Sequence, residues 1–510
     1  MLIERPDVTA INEVLEKIVQ NLEITDSQFE TAVKRYEAVG NYLNKPKSRI
    51  YEYAPEIYPQ GSFLLGTVIK PVTDEDEYDV DLVCQLTADN STFTQESLKL
   101  IVGKTLKDSE IYRSMLQPEK RRCWTLDYAE STKFHMDILP SIPDDYQRLL
   151  ASNIPEGIAK NAIGITDNET EDYKQYSNDW PKSNPKGYAT WFKEQMLIQL
   201  TERRKTFAKA MNEGVESVPG YKIKTPLQRA IQIMKRHRDI MFGDDDDKPI
   251  SIIITTLSAR AYSNEDNLFD ALMNILNRMP TFIEERIDDK TGRKTKWVEN
   301  PVDPRENFAD KWVENDQKEK NFFMWMKKIK SDFDFIKAKQ PERSYELLKA
   351  ALGTRAVNEA YREVGFEKVI SESSILPASI LASLLYVSHR EEPSWSMKLT
   401  NYVEIHGRYR DNGAWNSITN QVIVPKNCDI FFNAITNVKK PFDVYWQIVN
   451  TGEEALHNLR GNIFKAFTLG AGGLKHKEST LYKGTHWAEC FIIKNNECVA
   501  RSKEFFVNIA

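Results

Sequence analysis

The stretch PQGSFLLGTVIKPVTDEDEYDVDLVCQL, residues 59–86, decides how the rest of the chain is read. From Asp79 onward it alternates as a strand. Val80, Leu82 and Cys84 fall on one face, and Asp79, Asp81 and Val83 on the other. Two acids at i and i+2 share a face, about 7 Å apart along the backbone. In an apolar strand they cost free energy unless something positive meets them. Their spacing suits two carboxylates that share a pair of divalent ions about 3.5–4 Å apart. Upstream, Gly61-Ser62 reads as a turn that opens a helix, and the free N–H groups and hydroxyl of such a start suit a phosphate.

A third acid completes the pattern. Asp137 stands in FHMDILPSIP (134–143), among Phe134, Met136, Ile138 and Leu139, where an acid needs a reason. The constellation reads as a two-metal phosphoryl-transfer site. Asp79 and Asp81 are expected to bridge two Mg²⁺ (or Mn²⁺) ions, and Asp137 to hold the metal that activates an attacking hydroxyl. Gln60, Gly61 and Ser62 are expected to hold a triphosphate. His135 is expected on the opposite strand face, in a structural role.

The surrounding chain has the composition of an ordinary folded protein. It has 510 residues, too many for one compact core. Hydrophobic residues make up 41% and charged residues 28%, and the net charge is −6, so no general nucleic-acid binding is expected. The five cysteines are scattered without a CxxC pair, which argues against a zinc site and a disulfide framework and fits a cytoplasmic setting. The start MLIERPDVTA lacks the apolar core of a signal peptide, and no apolar run is long enough to span a membrane.

Helical spacing recurs at Leu15, Ile18, Val19 and Leu22 and again from Phe29 to Val39, with Thr25 to Gln28 forming a capping box between. Trp124–Tyr128, Phe134–Leu139 and Ile163–Thr166 read as strands. The chain then turns helical, with a strong amphipathic helix over Pro226–Met241 ending at Gly243, another over Ile250–Tyr262, and others over 341–362 and 374–388. From about 400, seven short strands separated by turn signals read as a β-sandwich, ending in one strand over 497–509. The glycines at 470–473 lack the Lys-Ser/Thr of a phosphate loop and read as a hairpin. The expected class is α+β. An α/β core occupies 1–182, a helical lobe 183–395, and an all-β, Ig-like sandwich 396–510.

QGSFLLGTVIKP, YDVDLV and HMDILPSIP together resemble the polymerase β-like nucleotidyltransferases, and within them the cGAS/DncV-like group (CD-NTases), bacterial enzymes of CBASS anti-phage defence. SNPKGYATWF (183–192), LQRAIQIMKRHRD (227–239), ISIIITTLSARAY (250–262) and NPVDPRENFADKW (300–312) are similar to stretches of the same group. VYWQIVNTGEEA, NLRG and the closing HWAECFIIKNNECVARSKEFFVNI resemble the AGS-C sensor domain fused to some of these enzymes. The resemblance implies joining of ATP or other NTPs into a cyclic di- or trinucleotide that a separate effector protein receives. It places Lys235 and Ser251 on the donor triphosphate and Ser183 and Asn184 near a nucleobase. On its residues alone, Lys235 reads nearly as well as a solvated charge in a basic run. The resemblance also suggests an activating ligand for the C-terminal domain. Two other readings share the site or the fold: an enzyme that makes linear oligonucleotides or nucleotidylates RNA or protein, and a non-catalytic nucleotide sensor.

Overall fold

A computed structural model of the chain describes residues 8–72, 78–128, 134–211, 220–287, 292, 294–337, 341–366, 389–391, 393–411, 413–419, 422–451, 453–466 and 473–509. The helix expected over 374–388 and the glycines at 470–472 lie outside them. The chain divides into two compact units, residues 1–341 with 351–365, and residues 342–350 with 366–510.

The first unit is built on a six-stranded sheet of β1 (Glu56–Pro59), β2 (Tyr78–Gln85), β3 (Trp124–Asp127), β4 (Phe134–Pro143), β5 (Ile163–Ile165) and β6 (Lys182–Ser183), in the order β1-β2-β4-β5-β6, with β3 also on β4. β2 and β4 run parallel, and the other pairs are antiparallel. The alternation in β2 sorts its side chains as its sequence dictates. Val80, Leu82 and Cys84 enter the main core with Met136 and Ile138 of β4 and Leu98, Val102 and Leu106 of the Gln95–Asp108 helix. The face that carries the acids turns apolar one step further on, where Val83 and Leu139 join Tyr58, Ile163 and Ile165 in a second cluster. The acids therefore stand at the open end of a face whose other end is sealed.

Helix α1 (Val8–Leu22) buries Leu15, Ile18, Val19 and Leu22 and packs against the Thr354–Glu363 helix of the same unit. Helix α2 (Asp26–Leu43) starts at Thr25, whose side chain accepts from the Gln28 N–H while Gln28 returns a bond to the cap backbone. The expected helix over 226–241 spans Pro226–Phe242. Thr225 and Gln228 form its capping box, Pro226 opens it without losing a bond, and Gly243 caps its end. It is followed by the Ser251–Ala261 helix. The charged excursion at 279–310 folds into two small antiparallel pairs, 284–287 with 294–297 and 299–300 with 303–307.

The second unit contains two antiparallel-rich sheets, one of seven strands and one of four. Both contribute to one apolar core. Ile405, Ile430, Phe432 and Ala434 come from the smaller sheet, and Val444, Trp446, Cys490, Ile492 and Val507 from the larger. The single strand expected over 497–509 is broken into Glu497–Arg501 and Phe505–Ile509, both paired to Gly484–Lys494. At the break, Ser502 Oγ accepts from the Cys490 N–H at 2.9 Å, and the Ser502 N–H donates to the Cys490 carbonyl at 2.9 Å. The strand Lys475–Ser479, unforeseen in the sequence, forms one edge of the smaller sheet. Among the described residues, no helix is long and apolar enough to cross a membrane.

Candidate functional site

The parallel register of β2 and β4 sets Asp81 directly beside Asp137, and Asp79 beside His135. All three acids thus lie on one face of adjacent strands. Asp137 Oδ1 accepts a short bond from Thr125 Oγ1 on β3 and lies 3.4 Å from Lys120 Nζ. Burial is the first cause that raises the carboxyl of Asp81, to about 6, and the charges of Asp79 and Asp137 add to it, while Lys235 and Lys120 oppose. Asp79, more open to water, is also raised by the cleft walls and then by Asp137, with His135 and Lys120 opposing.

Gly61 explains why its position carries no side chain. Its φ is +58°, a conformation that L side chains avoid, and a Cβ there would stand 2.6 Å from Asp81 Oδ2. Gln60 precedes the short helix α3 (Gly61–Leu65), and its N–H donates to the Asp81 carbonyl at 2.8 Å. The Gly-Ser start is therefore pinned backbone to backbone against the acid strand. Gly61, Ser62, Thr67, Asp79, Asp81, Lys235, Arg238 and Ser251 line one cleft of about 760 Å³.

The basic run Lys235-Arg236-His237-Arg238 is buried along its whole length, so Lys235 is not a solvated charge. Lys235 Nζ donates to the Thr67 carbonyl at 3.1 Å and Oγ1 at 3.2 Å. Burial, then Arg238, pushes its ammonium down to about 7, against the pull of Asp239 and Asp81. Arg238 Nη1 donates to Ser251 Oγ at 2.8 Å and to the Pro249 carbonyl at 3.1 Å, which fixes the start of the Ser251–Ala261 helix on the cleft.

Of the residues expected to act together, Asp79, Asp81, Gly61, Ser62, Lys235 and Ser251 share the cleft, with Asp137 beside Asp81 in register and Gln60 at the start of α3. Ser183 and Asn184 are not among the cleft-lining residues. Asn184 is the N-cap of the Pro185–Gln195 helix. Its Oδ1 accepts from the Gly187 N–H at 2.9 Å and its Nδ2 donates to the Ile158 carbonyl at 3.0 Å, so both ends of the amide serve the fold. His135 does not lie on the opposite strand face. Two residues from Asp137, it shares that face, lies opposite Asp79, and its Nε2 is 3.8 Å from Asp127 Oδ1.

Sequence reasoning missed Lys120, Thr125 and Arg238. Arg238, three residues after Lys235, shares its side of the helix, a signal present in the spacing. Lys120 and Thr125 reach Asp137 through the β3–β4 register, which the alternation of one strand does not reveal. Lys120 is in turn set in place by the buried Lys99, whose Nζ donates to the Arg121 carbonyl at 2.7 Å and pairs with Glu119 at 3.1 Å.

Among the described residues, no three His, Cys, Asp or Glu side chains converge as a closed metal-ligand cluster. The donor chemistry nonetheless fits a hard divalent cation. The donors are carboxylate oxygens of three acids, two of whose carboxyls are raised by burial and then by neighbouring acids, and one lysine already stands at the third.

Comparison with known proteins agrees with this architecture. Residues 55–140 match the model described as Cyclic GMP-AMP synthase DncV-like, nucleotidyltransferase domain, and residues 385–510 match the Adenylyl/Guanylyl and SMODS C-terminal sensor domain. A c-di-GMP synthase of Roseivirga ehrenbergii is 30% identical over 286 residues, which cover 56% of this chain and 69% of that protein. The cyclic dinucleotide synthase CdnG of Bradyrhizobium diazoefficiens is 26% identical over 310 residues, 57% of this chain and 68% of that protein. The solved structure of that CD-NTase in complex with GTP superposes with a TM-score of 0.54 at 22% identity, covering 70% of this chain and 99% of that one. The chain belongs to the cGAS/DncV-like nucleotidyltransferases, the family of the cyclic dinucleotide synthases, and is an enzyme of that class with an AGS-C sensor domain. Its first unit has the polymerase β-like fold of these enzymes.

Proposed function

We propose that this enzyme condenses nucleoside triphosphates into a cyclic oligonucleotide second messenger, first of all a guanosine-containing cyclic dinucleotide, and serves CBASS antiviral defence in the cytoplasm. The observation that carries the reading is the convergence, in one cleft, of Asp79, Asp81 and the Gly61-Ser62 start with Lys235, beside the in-register Asp137. The names of both relatives favour a dinucleotide, and that of the first favours guanine. Asp79, Asp81 and Asp137 would hold two Mg²⁺ or Mn²⁺ ions. Bound there, such ions lower the pKa of an attacking ribose hydroxyl and neutralise charge on the triphosphate.

The chain's own groups do the rest. The Gly61 backbone, with no Cβ, lets a phosphate approach beside Asp81, and Gln60 and Ser62 flank it. Lys235, whose ammonium burial pushes down to about 7, becomes fully protonated when a polyanion enters the cleft, so its charge is completed where the substrate needs it. Ser251 lies where its hydroxyl and helix start face the same phosphates. The core and helical lobe are read as dividing at 182/183, and residues 396–510 as an Ig-like sandwich that receives an activating ligand. The product is read as acting on a separate effector protein.

The test is incubation of the purified full chain with all four labelled NTPs and Mg²⁺ or Mn²⁺, then phosphatase treatment and mass spectrometry. A phosphatase-resistant guanosine-containing product, absent from the Asp79→Asn/Asp81→Asn variant, supports the reading. A phosphatase-sensitive ladder sinks the cyclic product, and a product that survives in the double variant sinks the site.

A further inference from the structure

The second unit contains a feature that the chemistry above does not use. At one end its two sheets part and leave a partly open cavity of about 310 Å³. Its walls are core residues of both sheets, Ile430 and Phe432 from one and Ile448, Val507 and Ile509 from the other, all buried, with Trp487 beside them. Native interiors close such spaces, and an empty apolar void lowers stability in proportion to its size. The rim is built to keep this one open. Asn450 accepts from the Arg460 N–H at 2.6 Å and donates to the Asn458 carbonyl at 2.8 Å, which fixes the segment over the mouth. His486 accepts from the Thr451 N–H at 3.2 Å through Nδ1 and bonds the Tyr482 carbonyl at 2.8 Å through Nε2. Burial holds that imidazole below its ordinary pKa, so it is neutral.

The charges select the occupant. Among the described lining residues, Arg460 is the one permanent cation, and Glu478 takes it through two bonds of 2.8 and 3.0 Å. No unpaired positive charge is left for a phosphate or carboxylate. Apolar and aromatic walls remain, with Ser479 on the lining and with Asn458, whose Nδ2 donates to the Tyr482 hydroxyl at 3.0 Å.

We propose that this cavity is a binding site for an uncharged, flat, mostly apolar small molecule with one hydrogen-bonding end, the chemistry of a neutral aromatic heterocycle. The proposal concerns binding alone and stands or falls independently of the product made in the first unit. Its test is calorimetry and thermal melting of the full chain with indole, adenosine and AMP. Indole and adenosine bind saturably at one site at millimolar concentration or below and raise the melting temperature. Their affinity falls at least tenfold in Val507→Phe, which fills the cavity from a buried wall, and in Leu481→Trp, which fills it from a rim residue that is 53% exposed and tolerates the larger ring. The Asp79→Asn/Asp81→Asn variant keeps the binding, which separates this site from the cleft. The proposal is overturned if neither neutral probe binds saturably, if binding survives in the folded filled variants, or if AMP binds at this site more tightly than adenosine.

Discussion

Gly61→Ala separates what the fold needs at this position from what the chemistry needs. Two effects follow from the geometry. Alanine at φ +58° costs about 1–2 kcal/mol of stability, the ordinary penalty for a side chain in the left-handed region. Its Cβ would also stand 2.6 Å from Asp81 Oδ2, so the carboxylate must retreat by roughly 0.8 Å to reach an ordinary contact of 3.4 Å. A displacement near 1 Å at a reacting centre costs on the order of 100-fold in rate, or about 2.7 kcal/mol of activation free energy. Gly66→Ala is the control. Its φ is +66°, and its Cβ would meet the ends of Gln228 and Lys224 rather than an acid. The backbone penalty is the same, with about 1 kcal/mol more for the strained bond from Gln228 Nε2 to the Leu65 carbonyl. Urea melts and steady-state turnover on both variants decide the matter. The expected result is Gly66→Ala at least as destabilised as Gly61→Ala but within a few-fold of wild-type turnover, and Gly61→Ala down about 100-fold. Equal loss of turnover in the two variants would refute the argument that Gly61 is reserved for the carboxylate.

Three further outcomes follow from charge and burial. The Asp81 carboxyl, raised to about 6 in the free protein, must lose its proton to hold a cation, so Mn²⁺ affinity followed by electron spin resonance drops about tenfold one pH unit below 6; a flat profile between pH 5 and 7 contradicts this. Lys235, depressed to about 7 in the folded chain, makes folding most stable above the unfolded lysine value of 10.5 and progressively less so as pH falls toward 7. Lys235→Met therefore flattens that slope in urea melts between pH 7 and 10 and is the more stable protein at pH 7, while kcat/KM falls on the order of 100-fold; a less stable variant with unchanged turnover would show that the lysine is structural. Arg236 Nη2 donates to the Lys70 and Pro71 carbonyls at 2.6 and 3.1 Å, so Arg236→Met costs about 1.5–3 kcal/mol and speeds amide hydrogen exchange over 67–72, whereas unaltered exchange there rules out the anchoring role.

Much of the fold was written locally in the sequence. Thr25 with Gln28 announces a helix start that the structure closes with its own two bonds, and alternation in 79–85 assigns each β2 side chain to its face. Three acids in otherwise apolar strands narrow the chemistry because a charge in such a strand is costly without a partner. What stayed hidden depends on register and on surroundings. Lys120 and Thr125 meet Asp137 only because β3 pairs with β4 as it does. Lys475–Ser479 reads as polar coil because it forms a sheet edge, where charged side chains are expected. Ser183 and Asn184 matched a pattern, but an Asn before a Pro is also what a helix start asks for, and the cap claimed the side chain.

The buried run at 235–238 shows why a basic stretch can be invisible to hydropathy and still organise a site. Successive residues on a helix point about 100° apart, so four in a row face four directions. Here they meet three segments: Lys235 meets Thr67 and Arg236 the carbonyls of Lys70 and Pro71 on one loop, His237 meets the Asp332 carboxylate at 3.0 Å, and Arg238 meets Pro249 and Ser251. Four of these partners, Thr67, Lys70, Pro71 and Pro249, offer backbone carbonyls of loops that border the cleft, and such loops have no sheet or helix ladder to satisfy those oxygens. A solvated basic face would leave the loops loose. Buried, it satisfies their carbonyls, sets the segment that follows Gly61-Ser62 against the helix, and places one ammonium within electrostatic reach of Asp81. The cost of burying four basic side chains is thereby tied to the geometry of the cleft, and the acids of β2 gain a positive neighbour that the strand alone could not supply.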